Sequence, residues 1–239
     1  DWLHARWPIE QRGRPFFVAV TTRTNHFPFD RVAGVERTGD ESWPARMHDT
    51  MRYTDAAVGK LLARLRQEPW FAHTVVVVTG DHGYPLGEHG AWYLYETLHI
   101  EATGVPLVLV GGHPELLPLR GKLARGPASH VDLAPTLLDL AGIDESGAWT
   151  GRSLLRDGDG VSMTFKEQHA AIERGDLRLL FDADALADPT RWKLYDRRND
   201  LREQRPLADP GQARAMAEEA DLASRWLREL YQTDAVLPR

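Results

Sequence analysis

The chain has 239 residues, 42% of them hydrophobic and 27% charged, enough for one large domain or a domain with an appendage. A net charge of -6 gives no footing for a nucleic-acid surface, and no window approaches the apolar length of a membrane span. The absence of cysteine excludes disulfides, thiolate metal sites and a cysteine nucleophile, and it is compatible with either side of a membrane.

The first residue is Asp1, and residues 1–14 carry no start or secretion signal, so the chain reads as a piece of something longer. Pro15 to Thr22 combines β-branched and aromatic residues and predicts a buried strand. It ends in the polar turn Asn25-His26-Phe27-Pro28-Phe29, which places His26 at a strand's carboxyl end. A lone loop histidine is more often a surface residue than a catalytic one. Residues 31–42 read as a loop. Met47, Met51, Val58, Leu61, Leu62 and Leu65 recur at helical spacing and predict an amphipathic helix over 44–67, packed on a sheet and stopped by Pro69.

Thr74-Val75-Val76-Val77-Val78 then reads as a strand buried on both faces, the kind found inside a parallel sheet. Gly80-Asp81-His82-Gly83 follows at its carboxyl end, where open α/β sheets place their ligands. A carboxylate beside an imidazole suits zinc, manganese or a similar divalent ion better than calcium. An Asp-Gly-type turn with an incidental histidine explains the tetrad equally well. Residues 91–104 are irregular; Trp92, Tyr93, Tyr95 and His99 there either line a pocket or seal the loop against a core.

Val105 to Val110 is a further buried strand, closed by Gly111-Gly112. His130-Val131-Asp132 opens a helix with Asp132 as N-cap, Leu133, Leu137, Leu138 and Leu140 facing a core, and Gly142 as its stop. From about 157 the pattern changes to short alternating runs at 161–166, 169–173, 177–182 and 191–196, punctuated by turn residues, which predicts a small antiparallel sheet. A closing helix over about 210–231 lines up Ala213, Met216, Ala220, Ala223, Leu227 and Leu230. The division expected is therefore 1–156 and 157–239.

Four stretches, in order, resemble the sulfatase branch of the alkaline-phosphatase superfamily: Asn25 to Phe29, Gly80-Asp81-His82-Gly83-Tyr84-Pro85-Leu86-Gly87-Glu88-His89-Gly90, Ser129 to Thr136, and Lys193-Leu194-Tyr195-Asp196 with Asn199-Asp200 and Glu203-Gln204. The resemblance implies an α/β, alkaline-phosphatase-like sandwich with a mostly parallel central sheet, lacking its N-terminal part. Residues 1–156 would be the C-terminal half of the catalytic domain, and 157–239 a small antiparallel subdomain. It implies Asp81 and His82 as ligands of a divalent metal ion (Zn, Mn, Ca or Mg), and His26 as a group that binds substrate or protonates the leaving group. Asn25, His89, Trp92, His99 and His130 are candidate pocket residues, His130 through a hydrogen bond. Met51-Arg52-Tyr53-Thr54-Asp55 resembles a run in the lipoteichoic-acid-synthase-like subgroup, although Tyr53 and Asp55 read better as helix cover.

The family's nucleophile is missing. No Cys- or Ser-x-Pro-x-Arg run and no upstream transferase threonine can be placed, so the chain alone should be inactive. Thirteen residues after Asp81, where sulfatases carry a lysine that grips the sulfate, stands Leu94, which cannot donate to an oxyanion. The expected whole is a metal-dependent enzyme acting on a small-molecule or lipid-linked phosphate or sulfate ester, with a phosphoglycerol-transferase-like role first and sulfate-ester hydrolysis second. It would work outside the cytoplasm or in a periplasm, anchored to a membrane through a missing N-terminal segment. A non-catalytic scaffold that kept the fold and lost the nucleophile half is the third reading.

Overall fold

The structure, a computed structural model, describes residues 14–30, 33, 39–122, 126–144, 149–156, 158, 160–167, 169–182 and 188–232. Residues 1–13 and most of the loop expected over 31–42 lie outside them. The chain divides into two compact units, Asp1–Gln67 and Glu68–Arg239.

In the first unit the long helix α1 spans Trp43–Leu65. Ser42 caps it, accepting from the Ala45 amide at 3.4 Å, and Pro44 sits in its first turn, where a missing donor costs nothing. Its inner face differs from the expected one. Met51 and Leu61 are exposed, whereas Asp49 and Thr50 are buried. The cause is the turn preceding the helix: the Phe27 ring meets Trp43 edge-on at 4.9 Å and Phe29 at 5.9 Å, and Thr54 Oγ1 donates to Asn25 Oδ1 at 3.0 Å. Trp43, Thr50 and Thr54 follow at spacings of seven and four, so they share one helical face, and that face is the one covered.

Pro15–Thr22 forms no strand. Phe17 and Val20 are 80% and 64% exposed there. β-Branched and aromatic residues favour extended backbone, but a strand exists only where its amides and carbonyls find a neighbouring ladder.

The second unit holds two sheets. The valine run forms β1 (Val75–Thr79), paired with β2 (Leu107–Gly111) in antiparallel register, Thr79 opposite Leu107 and Val75 opposite Gly111. The run predicts a parallel, fully enclosed strand; instead the pairing is antiparallel and the valines are only half-buried. Residues 80–106 leave and re-enter the ladder at the same end, Thr79 against Leu107, rather than crossing over to its far end as a parallel partner requires. Gly111 is required by the close approach, since a Cβ there would lie 1.9 Å from the Thr74 carbonyl oxygen. Between the strands lies the short α-helix α2 (Ile100–Thr103).

Residues His130–Asp132 form a tight 3₁₀ turn before α3 (Leu133–Leu140). Asp132 does not cap α3 through its side chain. It is the third residue of that turn, and its carboxylate accepts the amides of Ser129 and Arg152, each at 2.8 Å. Gly142, at φ 66, ends α3 in the left-handed conformation expected of it.

The second sheet runs β3 (Val161–Lys166), β4 (His169–Arg174), β5 (Leu177–Asp182) and β6 (Lys193–Asp196), all antiparallel in sequence order. Alternation sorts its residues to two faces. On one face Ala170, Ile172, Leu179, Phe181 and Leu194 pack under α4 (Pro210–Gln232) through Ala213, Met216, Ala217 and Ala220. On the other, Ala171, Leu180 and Tyr195 cluster with Leu98, just before α2. The side chain of Leu230, expected on the packed face of α4, lies outside those described.

Candidate active site

Asp81 and His82 sit directly beyond β1, where the chain leaves the ladder. Both side chains are open to solvent, 86% and 44% exposed, and His82 Nε2 lies 3.8 Å from Asp81 Oδ2. Two bonds of zinc type to nitrogen and oxygen span up to about 4.2 Å, so one ion can touch both atoms. The Asp81 Oδ1 accepts the His82 amide at 3.0 Å. His82 Nδ1 stands 2.6 Å from the Gly83 carbonyl. A carbonyl only accepts, so Nδ1 carries the proton and Nε2 keeps its lone pair. That is the tautomer a metal-binding imidazole needs. The two donors therefore fit a divalent ion, but among the described residues no group of three or more His, Asp or Glu is arranged to hold one.

The loop is held from both sides. His130 donates through Nε2 to the Gly80 carbonyl at 2.8 Å, just ahead of Asp81. The Gly83 amide donates to the Ala102 carbonyl of α2 at 2.9 Å, and a Cβ on Gly83 would lie 2.2 Å from the Glu101 carbonyl oxygen. Only glycine lets the loop press so closely on α2.

His89 and His99, expected near a pocket, belong to one polar network, buried at His99 and Glu203 and partly open to solvent at His89. Their rings stack at 3.6 Å, inclined by 2°. His89 bonds Glu101 Oε1 through Nδ1 at 2.9 Å and the Glu203 carbonyl through Nε2 at 3.0 Å, with the Gln204 side-chain amide also 3.0 Å from Nε2. His99 Nδ1 meets Glu203 Oε2 at 2.6 Å. Burial works against charge on His89, but the bonds to Glu101 and Glu203 and the nearby carboxylates outweigh it and raise its pKa above the usual 6.5. Glu203 also pairs with Arg178, its Oε1 lying 2.7 Å from Nε. Arg178 in turn pairs with Glu173, which also binds Arg197 at 3.1 Å. Glu173, Arg178 and Tyr195 are cross-strand neighbours on the sheet face away from α4. Burial, then the charges of Glu203, Asp200 and Glu101, push the Tyr195 hydroxyl up to about 12.

Trp92 is exposed, yet its indole lies over Gly87, and its amide donates to Glu96 Oε2 at 2.7 Å. Leu94 starts a 3₁₀ turn ending at Glu96. In the first unit, His26 is exposed and donates from Nδ1 to its neighbour's carbonyl, that of Phe27, at 2.6 Å, which leaves Nε2 outward. Asn25 is engaged by Thr54. Sequence reasoning gave no role to Arg178, Glu173 or Glu101; Glu203 was visible only as part of a motif.

The sulfatase family model matches residues 1–143. The chain is 29% identical over 155 residues to a sulfatase of Formosa agariphila, a match that takes in 59% of this chain and 30% of that protein. It is also 29% identical over 146 residues to lipoteichoic acid synthase 1 of Bacillus subtilis, 57% of this chain and 22% of that protein. Among solved structures, a protein of the alkaline phosphatase superfamily from Vibrio parahaemolyticus superposes with a TM-score of 0.63 at 20% identity, covering 90% of this chain and 49% of that one. The chain thus spans under a third of those two relatives' length. Among the described residues no helix is long and apolar enough to cross a membrane. With its family match over more than half its length and this fold, the chain belongs to the sulfatase family.

Proposed function

We propose that the chain supplies the carboxylate–imidazole part of a divalent-metal site in an extracytoplasmic enzyme that cleaves sulfate or phosphate esters. The observation that carries this reading is the 3.8 Å separation of Asp81 Oδ2 and His82 Nε2 at the end of β1. A bound divalent ion would supply charge neutralisation at the ester and a polarised oxygen. Asp81 offers an exposed carboxylate, and His82 offers Nε2 because Gly83 holds the proton on Nδ1. Glycines on either side let backbone, and with it an anionic ester, approach without a side chain in the way. His26, with Nδ1 occupied by Phe27, presents Nε2 outward, and in its protonated form that nitrogen donates to an ester or leaving-group oxygen. The whole protein is assayed against an aryl sulfate and a phosphodiester with and without a chelator. Turnover that the chelator abolishes and Asp81→Ala lowers by at least ~100-fold supports the reading. No turnover of either ester by the whole protein would instead favour a non-catalytic scaffold.

A second reading, phosphoglycerol transfer, is favoured by Leu94. An aliphatic side chain cannot donate to a sulfate oxygen, and the likeness to a lipoteichoic acid synthase points the same way. Preference for the phosphodiester in that assay separates it from sulfate-ester hydrolysis.

A further inference from the structure

We propose that Glu203 is a positioning residue for the Asp81–His82 loop, acting through α2 and His89 from the far end of the second unit; the role as a metal loop rests on the reading above. Two routes connect them. The first runs through α2. Glu203 Oε2 accepts the Ile100 amide at 3.1 Å and the His99 Nδ1 proton at 2.6 Å, fixing the start of that turn. Arg178, paired with Glu203 Oε1, donates to the Leu98 carbonyl and, at 2.7 Å, to Thr103 Oγ1, and so holds α2 at both ends. The clamped turn is the surface on which Gly83 rests, through the Ala102 carbonyl at 2.9 Å. Gly83 follows His82 directly.

The second route holds the loop's other end. The Glu203 carbonyl accepts from His89 Nε2 at 3.0 Å, and Glu101 of α2 accepts from Nδ1 at 2.9 Å. Residues 83 and 89 are thus both tied to α2, and α2 to Glu203.

Glu203 itself is a costly residue for its place on grounds of backbone alone. Its φ is 52, in the left-handed region where a non-glycine residue is uncommon. Its side chain is 3% exposed and flanked by groups from the 98–103 segment and β5. A glycine would suit that backbone and a surface residue would avoid the burial; the carboxylate satisfies neither preference. Its side-chain bonds give the reason it stands there: one carboxylate holds His99, the Ile100 amide and Arg178 together at α2.

Hydrogen exchange by mass spectrometry on the chain and its Glu203→Gln variant tests this, alongside Mn²⁺ titration. The expected result is exchange at least about tenfold faster in segments 80–90 and 98–103, with β3–β5 unchanged. Mn²⁺ affinity should fall about tenfold, the loss typical when outer support of a ligand is removed. Exchange in 80–90 within about twofold of the parent overturns the proposal. So does an unchanged Mn²⁺ affinity beside a lowered melting temperature, which marks a merely structural role. If Glu203→Gln loosens β3–β5 as well, Glu101→Ala decides, because it removes the acceptor that ties His89 Nδ1 to α2. Faster exchange confined to 80–90 then supports positioning, and an unchanged loop overturns it. If the parent chain binds no Mn²⁺, the metal reading fails and the exchange data alone judge the positioning claim.

Discussion

Glu203 and His99 meet at 2.6 Å across 104 residues of sequence, both almost fully buried. A buried carboxylate is tolerated only when its oxygens are fully engaged. Here one oxygen takes an imidazole and a backbone amide, and the other faces Arg178. The same arginine serves Glu173, so one cation stands between two buried carboxylates. The face of the antiparallel sheet away from α4 is therefore a polar clamp on the segment carrying α2, set beside the small apolar cluster of Leu98, Ala171, Leu180 and Tyr195.

Arg178 is the centre of that clamp, and its removal should be the most damaging polar substitution in the second unit. Arg178→Met leaves Glu173 and Glu203 as neighbouring buried carboxylates without their shared cation. The expected loss is about 3–5 kcal/mol, as for breaking a buried pair from one side. Urea unfolding followed by circular dichroism measures it. A loss under about 1 kcal/mol, the surface-pair range, would mean that solvent reaches the cluster.

His89 gives stability a defined pH dependence. Its folded pKa lies above the usual 6.5, so the folded state holds the proton more tightly than the unfolded chain. The stabilisation is complete below about 6.5 and fades as pH rises through the folded value. Glu101 and Glu203 face the ring from α2 and the 200–204 segment, with Asp200 close by and His99 stacked on it. The difference in stability between parent and His89→Gln should shrink as pH rises from about 6 towards 8. A difference that stays flat or grows over that range would contradict the raised pKa.

Gly83 tests how tightly the loop is pressed onto α2. In Gly83→Ala the new Cβ would lie 2.2 Å from the Glu101 carbonyl oxygen, a backbone atom that cannot swing aside. The expected cost is about 1–3 kcal/mol, the range for forcing extra volume into a packed contact. Gly90→Ala is the control for glycine loss near the loop. Gly90 has positive φ and Gly83 does not, and a Cβ added to Gly90 would meet nothing within 4 Å, so its penalty is backbone strain alone. Thermal unfolding measures both variants; a Gly83→Ala loss under about 0.5 kcal/mol would mean that the Gly83 contact relaxes freely.

The antiparallel sheet was legible because its signal is local. Period-two alternation, with Gly175-Asp176 as a turn signal, set strands at 161–166 and 177–182, and the structure has strands at those residues. The packed face of α4 was equally local, since Ala213, Met216 and Ala220 fall on one stripe. The direction of β1's partner was not, because four valines fit a parallel or an antiparallel neighbour and only the path of residues 80–106 decides. The face of α1 escaped sequence reading because Asp49 and Thr50 look like surface residues until Phe27 and Trp43 fix the helix's rotation. The clamp lay furthest out of reach. Glu and Arg are ordinarily surface residues, and nothing local marks Arg178 as the partner of a glutamate 25 positions on.

Asp81 and His82 supply two donors, and a zinc-type catalytic site takes about three from the protein. Among the described residues no third His, Asp or Glu joins them. The 239-residue chain alone should therefore bind Zn²⁺ or Mn²⁺ weakly and turn over neither an aryl sulfate nor a phosphodiester. Asp81→Ala should weaken what metal binding there is by about tenfold or more. The same substitution should shift stability by no more than about 0.5 kcal/mol, because the side chain is 86% exposed and its bond is to the adjacent amide. Calorimetric titration with each metal, unfolding of both proteins and the two ester assays test all three parts together. Tight one-to-one binding with steady turnover, lost in Asp81→Ala, would mean that the remaining ligand and the nucleophile are already within this chain.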